Sequence, residues 1–137
     1  MYELLKEISE TNNWFFTYAR PDHKNLFDED EINDNDLLVF LDPVKIDESF
    51  NDFGAVESIK YSGSFMLVVS SDYDEESYEY RYINYIKPIL DNTLNVIKSS
   101  IRCESDLNIN NWSTIEVINY LDYNSDGVIV KYVLSDE

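Results

Sequence analysis

Tyr2, Leu4, Leu5 and Ile8 recur at helical spacing and the turn-prone Thr11, Asn12 and Asn13 close the run, so residues 2–12 read as a short amphipathic helix. Residues 14–20 (WFFTYAR) are an aromatic and β-branched strand candidate stopped by Pro21, and residues 37–41 (LLVFL) a short buried one stopped by Asp42-Pro43. Residues 56–70 (VESIKYSGSFMLVVS) begin in alternation, break at Ser62-Gly63 and finish as an apolar run. That pattern fits one long strand bent by a bulge, or a hairpin.

Ser71-Asp72 then offers a helix N-cap, with Asp74, Glu75 and Glu76 in the first turn where carboxylates suit the exposed amides. Tyr78, Tyr82, Tyr85, Ile86, Ile89, Thr93, Leu94 and Ile97 trace the buried stripe of a helix running to about residue 100, kinked at Pro88. Residues 114–121 and 128–134 flank Asp122-x-Asn124-x-Asp126-Gly127 as a closing hairpin. The predicted order is α-β-β-β-α-β-β. It describes a two-layer α+β fold, a mainly antiparallel sheet covered on one face by two helices. No internal repeat or Gly/Ser linker divides residues 1–137, which read as a single domain.

Charge alters the functional picture more than the fold. The chain carries 28 acidic residues against 10 Lys plus Arg, a formal charge of −18, yet 44% of it is apolar, enough for a folded core. Acidic residues crowd 22–52 and thin to one acid and one lysine over 53–70, so the acidic loop at 22–36 stands out. Such a surface repels phosphate and excludes conventional nucleic-acid binding. No apolar run reaches the roughly 18 residues of a membrane span, and the N-terminus lacks a signal-peptide layout, so the expected compartment is intracellular.

The candidate chemistry is sparse. Asp122, Asn124, Asp126 and Gly127 match the first half of an EF-hand loop, but the position for the closing Glu is Val133 and the flanks have strand composition. They read as an Asx-rich hairpin turn, with a weak surface cation site as the alternative. Asp28, Glu29, Asp30 and Glu31 form a dense carboxylate run with no phosphate cradle, nucleophile elbow or Cys/His pair beside it. No enzyme activity and no cofactor are therefore expected. His23 reads as an exposed loop residue, and Cys103, near the end of the long helix, as a small apolar side chain of the commonly buried kind. Tyr73 and Tyr80 fall nearer solvent than Tyr78, Tyr82 and Tyr85, which fits either a protein partner or a half-wet core.

The element order, with LLVFLDP, SGSFMLVVSSDYDE leading to a Tyr-rich helix and KPIL, then WSTIEVINYLDYNSDGVIVKYVL, resembles small virion proteins of Bacteroides-type tailed phages, including the crAss-like group. In particular it resembles tail-terminator or neck ring proteins over about residues 37–134. The resemblance implies a tail-terminator-like fold and a homo-oligomeric ring of six or twelve subunits between portal and tail. It further implies neighbouring portal, neck or tail proteins as partners, DNA passing nearby without specific binding, and a virion location after assembly in the host cytoplasm. Asp28, Glu29, Asp30, Glu31, Asp34, Asp36, Tyr73 and Tyr80 are the candidate interface or lumen residues, and 42–53 a candidate contact loop. Like charge across such a ring needs offsetting by Lys45, Lys60, Arg81 or Lys131 of a neighbour, by cations or by a basic adjoining ring. The competing expectation is an acidic phage-encoded inhibitor or adaptor that binds a basic host protein.

Overall fold

The computed structural model describes residues 1–18, 36–70, 77–118 and 125–136. Helix α1 (Tyr2–Asn12) ends on Asn13, which adopts the left-handed conformation that short polar side chains tolerate at a helix end. Strand β1 (Phe15–Tyr18) follows, then β2 (Leu37–Leu41), β3 (Lys45–Phe50) and the long β4 (Val56–Ser70). The second helical path runs through α2 (Tyr78–Arg81), two π-helical turns (Tyr82–Ile86 and Ile89–Thr93) and α3 (Leu94–Glu104). Strands β5 (Asn108–Val117) and β6 (Ser125–Ser135) close the chain.

The result is an α+β fold with an open six-stranded sheet in the order β1-β2-β4-β6-β5, β3 pairing with β4 beside β2. All pairings are antiparallel except β1 with β2. The observed order has one strand more than expected. Residues 45–50, read above as part of a contact loop, form β3, because Ile46, Glu48 and Phe50 alternate with Lys45, Asp47 and Ser49 opposite the start of β4. Strand β4 is continuous, and its register against β6 runs without a break from Lys60 to Ser70. The irregularity lies across from Ser62-Gly63. Leu41 faces Phe65 whereas Lys45 faces Ser62, so residues 42–44 lie opposite 63–64 and the β2–β3 path bends at Pro43, which has no N–H to give a ladder.

One face of the sheet carries the main core. Val39, Leu41, Phe65, Leu67, Val128, Val130, Tyr132 and Leu134 are buried there beneath Leu5, Ile86, Ile89, Leu94, Ile97 and Ile101. The other face is apolar too, with Leu38, Phe40, Met66 and Val68 buried, and that cluster holds no described helix residue.

The helical stripe differs from expectation at its start. Tyr78 and Tyr82 are exposed, and Arg81 takes the inward position. The Lys87 N–H donates to the Tyr82 carbonyl and the Leu94 N–H to that of Ile89, each one residue wider than an α-helical bond. Each π turn inserts a residue, so extrapolating a 3.6 period back across both rotates the tyrosines wrongly inward. These turns also flank Pro88, where wider bonding relieves the clash a proline ring makes inside a regular helix. Cys103 is exposed, not buried as expected.

Gly127 lies so close under β4 that an added methyl group would run into the Leu67 carbonyl and the Val68 Cα. Both obstacles are backbone at the centre of the sheet. Gly127→Ala is expected to destabilise the fold by about 3 kcal/mol or more, read as a fall in the denaturation midpoint.

Candidate functional site

Strand β4 begins its pairing with β6 at Lys60, and Asp136, just past β6, still donates its N–H to the Ile59 carbonyl and accepts from the Ile59 N–H, so only over residues 56–58 is β3 the sole described partner. This two-stranded arm projects beyond the helix-covered sheet. Its two faces differ in composition. On one, Lys45 and Asp47 form an ion pair at 3.5 Å and the Ser49 and Ser58 hydroxyls share a hydrogen bond of 2.5 Å, so the polar groups satisfy each other locally. The other carries Ile46, Glu48 and Phe50, with the carboxylate of Glu48 between the two apolar positions; Ile46, Phe50 and the Val56 that pairs with Phe50 are each about half exposed.

The arm ends in a tight, well-bonded tip. The Asn51 side-chain oxygen accepts from the Phe53 N–H at 2.9 Å and the Ala55 N–H at 3.1 Å, while the Asn51 N–H donates to the Ala55 carbonyl at 2.9 Å. Gly54 adopts φ +80°, open to glycine and strained for other residues. This turn holds Phe53 outward at 95% exposure, the most exposed large apolar residue described.

At the foot of the arm lies a shallow cleft of about 540 Å³, lined by Met1, Tyr2, Tyr18, Val44, Ile46 and Tyr61. The Tyr2 ring is fixed by edge contacts with Phe16 at 5.5 Å and Tyr18 at 5.4 Å, and Lys6 Nζ stands 5.8 Å from its centre. The bend at Asp42 shapes the same corner. Ser64 donates to the Asp42 carboxylate at 2.5 Å, and the Asp42 N–H donates to the Ser64 carbonyl at 3.1 Å.

Beneath that corner Tyr132 is buried against Gly63, and its hydroxyl has no hydrogen-bond partner among the described residues. Burial pushes its ionisation well above the ordinary tyrosine range, and the negative charges of Asp42 and Tyr18 add to the effect.

Of the sequence-derived candidates, Asp28, Glu29, Asp30, Glu31, Asp34, Tyr73, Asp122 and Asn124 lie outside the described residues, as do the Ser71-Asp72 cap and His23. Asp36 is half-buried just before β2, and Tyr80 is exposed with its ring 6.2 Å from that of Tyr85. Asp126 is not in a turn: it is fully buried in β6 opposite Val69, with Arg81 at 3.8 Å. Arg81 therefore ties the second helix to the sheet and is not available to a neighbouring subunit. Among the described residues, no group of three or more His, Cys, Asp or Glu is placed to hold a metal, and no helix is long and apolar enough to cross a membrane. The features missed in the sequence are the paired ribbon that carries Phe50 and Phe53, both within the candidate contact loop 42–53, together with Val56 and the three tyrosines of the cleft. Their available signal was the alternation of 45–50 followed by Asn51, Phe53 and Gly54.

No protein-family model, curated protein or solved structure matches this chain.

Two substitutions test the buried polar groups. Arg81→Leu strips the buried Asp126 of its cationic neighbour and is expected to cost about 3 kcal/mol, with Ca²⁺ leaving the melting temperature of either protein unchanged. Tyr132 works in the alkaline range. Its neutral form is favoured in the fold, so stability holds below about pH 10 and falls above it as the unfolded phenol ionises while the buried one resists. Tyr132→Phe is expected to flatten that alkaline loss in urea titrations.

Proposed function

We propose that this chain is a structural subunit that assembles through its β3–β4 arm, as a closed ring in the neck or tail of a phage particle. The observation that supports assembly most directly is the arm: a paired ribbon with one self-satisfied polar face, another that exposes Ile46 and Phe50 on either side of Glu48, and a tip that exposes Phe53. Ile46, Phe50, Phe53 and Val56 expose four large apolar side chains on one short projection of a chain of formal charge −18. Clustered exposed apolar side chains mark surfaces that other proteins cover. The phage setting and the ring rest on the resemblance noted in the sequence, which implies interfaces and no active site. A contact between two different patches of identical subunits is heterologous, and it closes into a ring when its rotation divides a full turn.

The electrostatics fit a structural part that sits beside DNA. Carboxylates in excess keep a polyanion from adhering, and they set a cost on bringing copies together that falls as salt screens them. Lys45 is engaged by Asp47 on its own strand and Arg81 lies in the core, which leaves Lys60 and Lys131 as the described candidates from the original four for pairing across subunits.

Mass photometry or light scattering from about 0.05 M to about 0.5 M NaCl tests this reading, because screening lengths shrink several-fold over that range. The expected result is a discrete multiple of 16.1 kDa whose population grows with salt. The adaptor alternative predicts the opposite dependence, a 16.1 kDa monomer that captures a basic protein at low salt and releases it at high salt. A monomer at every salt concentration and subunit concentration would rule out assembly by the arm.

A further inference from the structure

The geometry points to a knob-and-socket joint between copies: Phe53 at the tip of one arm seats in the cleft formed by Met1, Tyr2, Tyr18, Val44, Ile46 and Tyr61 of the next. This inference rests on the assembly reading and assigns the two patches that meet. The knob is preorganised. Phe53 stands on a loop fastened by Asn51 and Gly54, so little freedom is lost when its ring is buried. The socket is walled by aromatic and aliphatic side chains and is larger than a phenylalanine ring.

Phe53 cannot fill the socket of its own chain. Ile46 belongs to the cleft and Phe50 lies four strand positions further out, roughly 14 Å away, with Phe53 beyond it on a paired and bonded ribbon. A Phe53 seated in this socket therefore comes from another copy. Charge selects a second copy over a basic partner. The side chains lining the cleft include no carboxylate, so a basic protein finds nothing there to neutralise. A like-charged copy meets least repulsion at such a place, and Lys6, beside the Tyr2 ring, offers a cation to Asp52, the residue next to Phe53. Tip and socket are different patches on one chain. The joint is therefore directional, and each subunit has one of each to give.

Photo-crosslinking of the full chain carrying Phe53→p-benzoylphenylalanine tests the joint, with mass measured on the same sample. The expected outcome is an intermolecular adduct whose peptide contains Tyr2, Tyr18, Val44 or Tyr61. Two further variants check the energetics. Phe53→Ser at the exposed tip and Val44→Trp in the socket are each expected to weaken association about tenfold or more while leaving the melting temperature of the monomer nearly unchanged. If the chain assembles but the adduct maps elsewhere, or Phe53→Ser associates as tightly as the parent, the joint is wrong and the assembly reading survives. If the parent chain never associates, both fall together.

Discussion

Strand β4 is too long for the layer that covers it. Its fifteen residues pair along one edge first with β3 and then with β2, while β6 accompanies it only from Lys60 onward. The helices supply buried side chains to the half where Phe65, Leu67 and Val69 point toward them. The other half runs out past the helices as a ribbon. Alternation places Ile46, Glu48 and Phe50 on its open face, where Ile46 and Phe50 stay more than half exposed. The same strand thus organises both the interior and the surface that needs a partner.

Two devices keep these halves distinct. Pro43 and the extra residue at the β2–β3 junction let one edge serve both strands while re-aiming the chain at the point where the core ends. On the far side, Gly127 lets β6 approach β4 at backbone contact, and Arg81 beside Asp126 ties the start of the second helix to the same strand. A buried pair of this kind adds modestly to net stability, but leaving either member alone is costly, so it fixes where the helix sits.

Much of the fold was legible in the sequence. The first helix and β2 matched their expected bounds because their periodicity was clean and their ends carried turn residues. Residues 45–50 were missed because a fully exposed strand has no apolar run, only the alternation of Ile46, Glu48 and Phe50 between acids. The start of the second helix was misphased because π turns leave no mark on residue type, and Arg81 in the stripe looks like a surface residue until Asp126 is found beside it. Asp126 itself looked like a turn oxygen, since Asp-Gly is a turn signal and close packing of β6 under β4 is not visible in one strand alone. The contacts expected from the sequence were the acidic loop 22–36, of which only Asp36 is described, and residues 42–53, which contain Ile46, Phe50 and Phe53 of the arm. The pairing of 45–50 with β4, which groups those side chains with Val56, was not legible in the sequence.

The acidic excess and the bare arm then act on assembly with opposite sign. Carboxylates hold copies apart and keep polyanions from sticking, while the arm offers a local apolar contact that does not depend on charge pairing. Hydrogen exchange on the chain at low and high subunit concentration tests this balance most directly. The account predicts that amides of β3 and the Asn51–Ala55 tip gain protection on association while those of β4 and β6 in the core change little. Association that protects other segments and leaves the arm exchanging at its monomer rate would contradict it.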